Sequence, residues 1–265
     1  MVRKRIIIRR RARPATTAGA APGRVRLVDN ETLDRFNPGV LGLGNIDVPS
    51  KEVEAIAAVL DLSGFTKFCN QVDPHLAVPT YLSHFLGWLF DGIKTGLTAA
   101  NYNDRKALWA ELPFLSKFLG DGIMFLWSTR SMSENLICDI VNTLYEICYA
   151  YRQQFYPEIR KVVANPPTIL RCGIARGRVF SVGNGRDYVG HCMNLASRLQ
   201  KLSLLTFCFP RRGFDVPNYM RGSLREKVVG KRVSIRGIWE SDLVWVLQEE
   251  FDNLPDREKA IFGEP

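Results

Sequence analysis

Val53 to Leu60 (Val-Glu-Ala-Ile-Ala-Ala-Val-Leu) is a near-continuous apolar run, and the next residue is Asp61. An apolar run of that length suits a strand buried on both faces, so it belongs at the centre of a sheet. The acid that follows it is then delivered to the end of a central strand. Phe114 to Leu119 and Ile123 to Trp127 are short apolar segments joined by Gly120-Asp121-Gly122, which places a second acid sixty residues after Asp61. That pattern signals a hairpin with Asp121 at its tip. Both acids are read as exposed strand-end groups that carry little packing energy.

Further elements follow from periodicity and punctuation. Pro74 to about Ala100 carries apolar positions at helical spacing, and Pro74 suits a helix start. Asn101 to Glu111 reads as polar and turn-rich, and a second helix is expected from about Met132 to Phe155, stopping before Pro157. Ile169 to Ala175 and Val179 to Val182 read as a strand pair around Arg176-Gly177-Arg178. Asn194 to Leu202 is a short amphipathic helix. Strands near Leu204 to Phe209, Val228 to Ile235 and Leu243 to Leu247 close the domain. The order β-α-β-β-α-β with C-terminal additions predicts an α+β, ferredoxin-like sandwich. The expected organisation is an arm over 1–26, a connector over 27–50, the main domain over 51–250 and a tail over 251–265.

The net charge of +9 on 265 residues is unevenly placed. Nine of the 36 basic residues lie within the first 26 positions, and no acid precedes Asp29, so the remaining 27 Lys and Arg are matched by 27 Asp and Glu. The basicity therefore belongs to the arm, read as disordered in isolation and able to touch an anionic surface. Ile6-Ile7-Ile8 is too short for a secretory h-region, and no apolar run reaches the ~18 residues that a membrane span needs. The six cysteines show no metal-ligand spacing and suit a reducing compartment, so a cytoplasmic location is expected.

Two carboxylates that converge on one sheet edge suit hard divalent cations, which take oxygen ligands and share them with substrate phosphates. Ser63-Gly64-Phe65-Thr66 follows the first strand and offers a Gly-containing turn for phosphate, with Phe65 either covering the site or belonging to the core. Asn194 and Arg198 are four residues apart and so share a helical face. Arg brings a fixed fork to phosphate oxygens, and Asn can orient a ribose.

Asp-x-x-Gly-Phe-Thr from Asp61, Lys-x-x-Gly-Asp from Lys117, and Asp-x-x-Gly…Asn-x-x-x-Arg from Asp187 to Arg198 occur in order. Together they resemble the class III nucleotide cyclases over roughly residues 53–248. The resemblance implies that Asp61, Asp121 and the Leu62 carbonyl hold two divalent cations per site, Mn²⁺ or Mg²⁺. It implies that Asn194 and Arg198 stabilise the transition state and that Lys117 and Asp187 read the base. A late phosphate-binding Lys of the family falls near Arg236, where this chain has Arg. The reaction implied is attack of the ribose 3′-hydroxyl on the α-phosphate of a nucleoside triphosphate, in a homodimer with two sites at the interface.

The base is open from these residues: Lys117 and Asp187 suit adenine, uracil or, less neatly, cytosine. As a compact chain with no sensor domain and a helix-plus-loop insertion between the metal blocks, it looks like the bacterial pyrimidine cyclases of Pycsar anti-phage systems. That likeness implies UTP as substrate and cyclic UMP acting on a separate cyclic-nucleotide-responsive effector. The alternatives are an adenylate cyclase and a non-catalytic nucleic-acid-binding protein that uses the basic arm on the same fold.

Overall fold

The computed structural model describes residues 29–235 and 241–265, so the arm over 1–26 lies outside the described residues. The chain divides into two units after Gly42. In the first, helix α1 (Asn30–Arg35) starts where the Asp29 carboxylate accepts the Thr32 N–H at 2.6 Å, and a 3-10 turn follows over Pro38–Leu41.

In the second unit the elements run β1 (Glu52–Ser63), α2 (Phe65–Cys69), α3 (Pro74–Gly96), β2 (Thr98–Tyr102), β3 (Arg105–Leu108), β4 (Leu115–Phe118) and β5 (Gly122–Ser128). Then come α4 (Glu134–Ala150), a π-helical turn (Tyr151–Phe155), α5 (Tyr156–Ile159), β6 (Ile169–Val182), β7 (Asp187–Val189), α6 (His191–Leu199) and β8 (Phe207–Pro210). The chain ends with α7 (Val216–Tyr219), α8 (Ser223–Lys227), β9 (Val228–Ser234), β10 (Ser241–Leu247), α9 (Gln248–Asp252), α10 (Asp256–Lys259) and β11 (Phe262–Gly263).

The main sheet has the order β11-β9-β10-β8-β6-β1-β5-β4, with β7 also paired to β6. Its segment β6-β1-β5-β4 is the antiparallel core of a ferredoxin-like βαββαβ unit, and β8 adds to it parallel to β6. Strand β1 is flanked on both edges and buried on both faces, as its apolar run requires. Its even residues, Ile56, Ala58, Leu60 and Leu62, pack with Tyr81, Phe85 and Leu89 of α3 and with Ile137, Val141 and Leu144 of α4. Its odd residues, Ala55, Ala57 and Val59, pack with Leu195, Ala196 and Leu199 of α6. Strand period two thus divides the core into two layers.

Four sequence readings change. Residues 169–182 form one strand without a turn at Arg176-Gly177-Arg178, because β1 pairs with it continuously from Glu52↔Phe180 to Ser63↔Ile169. A long neighbour that satisfies every ladder group outweighs the weak strand propensity of Gly177. The stretch 101–111 contributes to a separate two-stranded hairpin, β2-β3, turning near Asn103. Its largely exposed side chains gave no alternation to read. The second helix does not stop before Pro157 but continues through the π turn into α5. Proline lacks an N–H and crowds the carbonyl four residues back, and a π turn changes that spacing. The tail is built in: β11 pairs with β9, and Leu254 is buried in the α6-side core.

All six cysteines are free and five are buried. Among the described residues no helix is long and apolar enough to cross a membrane.

Helix α6 lies directly on β6 at Gly173, where a Cβ would come within 2.2 Å of the Ala196 carbonyl and 2.3 Å of the Gln200 nitrogen. Both neighbours are backbone and cannot rotate away. Gly173→Ala is therefore expected to lower stability by about 1–3 kcal/mol, measured by urea unfolding; an unchanged midpoint would mean that α6 shifts without cost.

Candidate active site

Asp61 continues the odd-numbered row of β1 onto the α6 side of the sheet, directly across from Gly122 of β5 and from Arg171 of β6. The approach of β5 is tight. A Cβ on Gly122 would meet the Leu60 carbonyl at 2.3 Å, so a side chain there would push the hairpin off β1. Gly120, at φ +101°, turns the chain immediately before Asp121. The Leu62 N–H then donates to the Asp121 carbonyl at 3.0 Å. The Gly-Asp-Gly sequence is thus what locks the second acid beside the first.

Asp61 is not the exposed acid that its strand-end position suggested: it is only 8% exposed. The strand continues two residues past it, and its neighbours on both sides close over the position. Burial raises the Asp61 pKa above the ordinary carboxylate range, and the charge of Asp121 raises it further. Lys201 and Arg171 oppose that shift.

Neither of these cations was found from sequence. Arg171 was visible as a basic residue inside the apolar stretch Ile169-Leu170-Arg171-Cys172, but only strand pairing shows it opposite Asp61. Its buried Nε has no hydrogen-bond partner, which leaves a donor aimed at nothing in the protein. Lys201 follows the last turn of α6 and had no sequence signal.

The turn after β1 is mixed. Ser63, Gly64 and Thr66 reach solvent, and Gly64 sits at φ +83° before the five-residue α2. So short a helix has little dipole to offer; the turn offers an open approach. Phe65 belongs to the core, its ring centroid 5.8 Å from Phe68 and 6.4 Å from Tyr81.

Lys117 on β4 and Asp187 on β7 form an ion pair, with side chains 45% and 20% exposed. The Asp187 carboxylate also accepts the Tyr188 N–H at 2.9 Å. Phe114 stacks edge-on against Tyr188 at 5.1 Å, a second tie between the same two segments. Half-exposed ion pairs are worth little, about 0–1 kcal/mol, so a ligand can open this one at small cost.

Asn194 and Arg198 project from the exposed face of α6, while Cys192, Leu195, Ala196 and Leu199 face the sheet. Arg236 lies outside the described residues.

The donor set suits a hard divalent cation. Two adjacent carboxylates, one of them buried, repel each other unless a positive charge joins them. Among the described residues no group of three or more His, Cys, Asp and Glu could hold a metal. Asp61 and Asp121 would hold such a cation as one or two carboxylates that share it with substrate oxygens.

No protein-family model matches this chain, and no curated protein matches it. Solved structures do. The guanylyl cyclase Cya2 aligns at TM-score 0.56 and 18% identity, over 76% of this chain and 94% of that one. The adenylyl cyclase CyaB from P. aeruginosa aligns at TM-score 0.55 and 14% identity, over 76% and 96%. The catalytic core of a rhodopsin-guanylyl cyclase with converted specificity, in complex with ATPαS, aligns at TM-score 0.50 and 17% identity, over 74% and 97%. The chain has the catalytic fold of the class III adenylyl and guanylyl cyclases.

A raised Asp61 pKa has a stability consequence of fixed sign. The unfolded carboxyl ionises near pH 3.9 and the folded one only at higher pH. The metal-free protein therefore loses stability as pH rises through the folded value. Asp61→Asn should match or exceed the wild type in melting temperature at pH 7 without divalent ions, with the difference shrinking toward pH 4. Mn²⁺ should raise the wild-type melting temperature and not that of the variant. A variant less stable than wild type at pH 7 in chelator would show that Arg171 and Lys201 already compensate the charge.

Proposed function

We propose that this protein is a nucleotide cyclase that converts a nucleoside triphosphate, with UTP preferred, into its 3′,5′-cyclic monophosphate and pyrophosphate. The observation that carries this reading is buried Asp61 beside Asp121, whose carbonyl accepts the Leu62 N–H, on the fold of solved cyclases. The reaction forms a bond between the ribose 3′-oxygen and the α-phosphorus and breaks the bond from that phosphorus to the β-phosphate bridging oxygen. Pyrophosphate leaves with the electron pair, and the 3′-hydroxyl proton is lost.

Asp61, Asp121 and the Leu62 carbonyl are the residues that would hold two Mg²⁺ or Mn²⁺ ions. Such ions neutralise phosphate charge and lower the pKa of a bound hydroxyl. Arg171, with its unpartnered Nε, and Lys201 supply fixed positive charge on the same face for the phosphate chain. Ser63, Gly64 and Thr66 line the open turn beside them.

Asn194 and Arg198 point outward from α6, so they act on a nucleotide held by the carboxylates of a second copy. Two such contacts make a homodimer with two equivalent sites. Arg198 would stabilise charge developing on the α-phosphate and Asn194 would orient the ribose.

Lys117 and Asp187 present one donor and one acceptor side by side. Uracil matches them with a carbonyl and its ring N–H, and the likeness to the pyrimidine cyclases of anti-phage systems favours cyclic UMP as a second messenger read by a separate effector. The same edge matches adenine through N1 and the exocyclic amine, so ATP is the second reading. The aligned core of converted specificity, bound to ATPαS, illustrates that this fold alone does not fix the base.

Incubation with each of the four NTPs and Mn²⁺, with products identified by mass, tests the activity and the base together. Cyclic UMP as the main product is expected; a preference for ATP overturns the pyrimidine assignment and keeps the cyclase, and no cyclic product overturns both. Asp121→Ala should lower turnover by about 10³-fold or more. Asp61→Ala and Arg198→Ala chains should each be inactive and should regain part of the activity when mixed, since one of the two heterodimer sites is intact. Absence of rescue in proven heterodimers would place each site within one chain.

A further inference from the structure

On the sheet face opposite Asp61, a cavity of about 1070 Å³ opens between the end of α4, the start of β6 and α9. That volume is at the upper end of the range for small-molecule sites. Its floor is apolar and aromatic, with Tyr145, Leu170 and Phe207 contributed from the helix-side core. The π turn places Arg152 and Gln153 on its rim. Such turns recur at functional sites because they break the regular helical register to present particular side chains.

The charges on its walls are unequally satisfied. The Glu250 carboxylate accepts the Thr206 N–H at 2.8 Å and the Thr206 hydroxyl. Asp252 accepts the Gln248 amide at 2.7 Å, and Glu249 is exposed. Lys227, in contrast, is in no ion pair among the described residues, although the charge of Glu146 reaches it. Its ammonium donates to the Tyr145 hydroxyl at 3.1 Å and lies 5.1 and 5.9 Å from the Tyr145 and Tyr149 ring centres. Arg152 makes no hydrogen bond or ion pair among the described residues, although its charge is felt by Glu250. A cavity with an aromatic floor and two cations outside any ion pair among the described residues is suited to an anion on a flat apolar body.

We infer that this cavity is a second ligand site that takes a small aromatic carboxylate or phosphate monoester. Arg152 and Lys227 hold the acid group, and the ring lies along Tyr145, Tyr149 and Phe207. The site does not depend on the cyclase reading. It does lie one peptide from the candidate active site, since Leu170 lines the cavity and Arg171 turns to the opposite face toward Asp61.

The test is a fluorescence titration of the full chain with anilinonaphthalene sulfonate, an aromatic anion that brightens in apolar surroundings. Saturable binding is expected. Arg152→Gln and Lys227→Gln should each weaken it at least tenfold, and Leu204→Trp, at an exposed position on the rim, should occlude it. Arg160→Gln, exposed and outside the cavity, should leave it unchanged, and melting curves verify that each variant is folded. Displacement by naphthoate assigns a carboxylate head group, displacement by naphthyl phosphate a phosphate, and displacement by both the shared anion chemistry. Absence of saturable binding, or equal binding by all folded variants, overturns the inference.

Discussion

The backbone hydrogen bond from Leu62 to Asp121 marks where the hairpin β4-β5 closes against the end of β1. It exists because nothing but a hydrogen fits on the Gly122 Cα against the Leu60 carbonyl. From that contact follows the register that pairs β1 with β5 over seven residues, Ala55↔Ser128 to Asp61↔Gly122. The register in turn decides that Asp61 and Asp121 are neighbours. A slip of one residue would send the whole odd-numbered row of β1, Asp61 included, to the other face.

That placement sets packing against electrostatics. A carboxylate with 8% exposure next to a second acid is disfavoured as an anion, and Arg171 and Lys201 offset it only in part. Groups held in unfavourable protonation balance cluster at working sites, because a bound cation or substrate then gains what the empty protein lacks. The unpartnered Nε of Arg171 fits the same logic from the positive side: its hydrogen-bonding capacity is reserved. In the proposed cyclase these tensions are relieved together by a metal-bound triphosphate.

The two faces of the sheet have different work. The α3-α4 layer carries the aromatic core, including the buried Tyr81–Tyr151 hydroxyl pair at 2.7 Å, with Tyr151 also donating to the Pro167 carbonyl at 2.6 Å. This anchors the π turn at its first residue. The α6 layer is thinner, and Gly173 lets the helix backbone rest on the strand. Close seating fixes which residues of α6 lie on its exposed face, Asn194 and Arg198 among them.

The local pattern of the sequence determined the buried first strand, the helix from Pro74, the Gly-Asp-Gly hairpin and the helical face shared by Asn194 and Arg198. Each is set by period, punctuation and a few neighbouring residues, which are interactions of short range. The unbroken β6, the helix that runs through Pro157 and the incorporation of residues 251–265 were decided only by the tertiary structure. In each case a distant partner strand or an altered helical turn overrode the local preference. The burial of Asp61, the ion pair of Lys117 with Asp187 and the presence of Arg171 and Lys201 beside the first acid belong to the same class. Lys117 and Asp187 are 70 residues apart in the chain, and Asp61 and Arg171 meet only because two strands pair in one register. Sequence names the charged groups; their desolvation and their neighbours are properties of the assembled sheet.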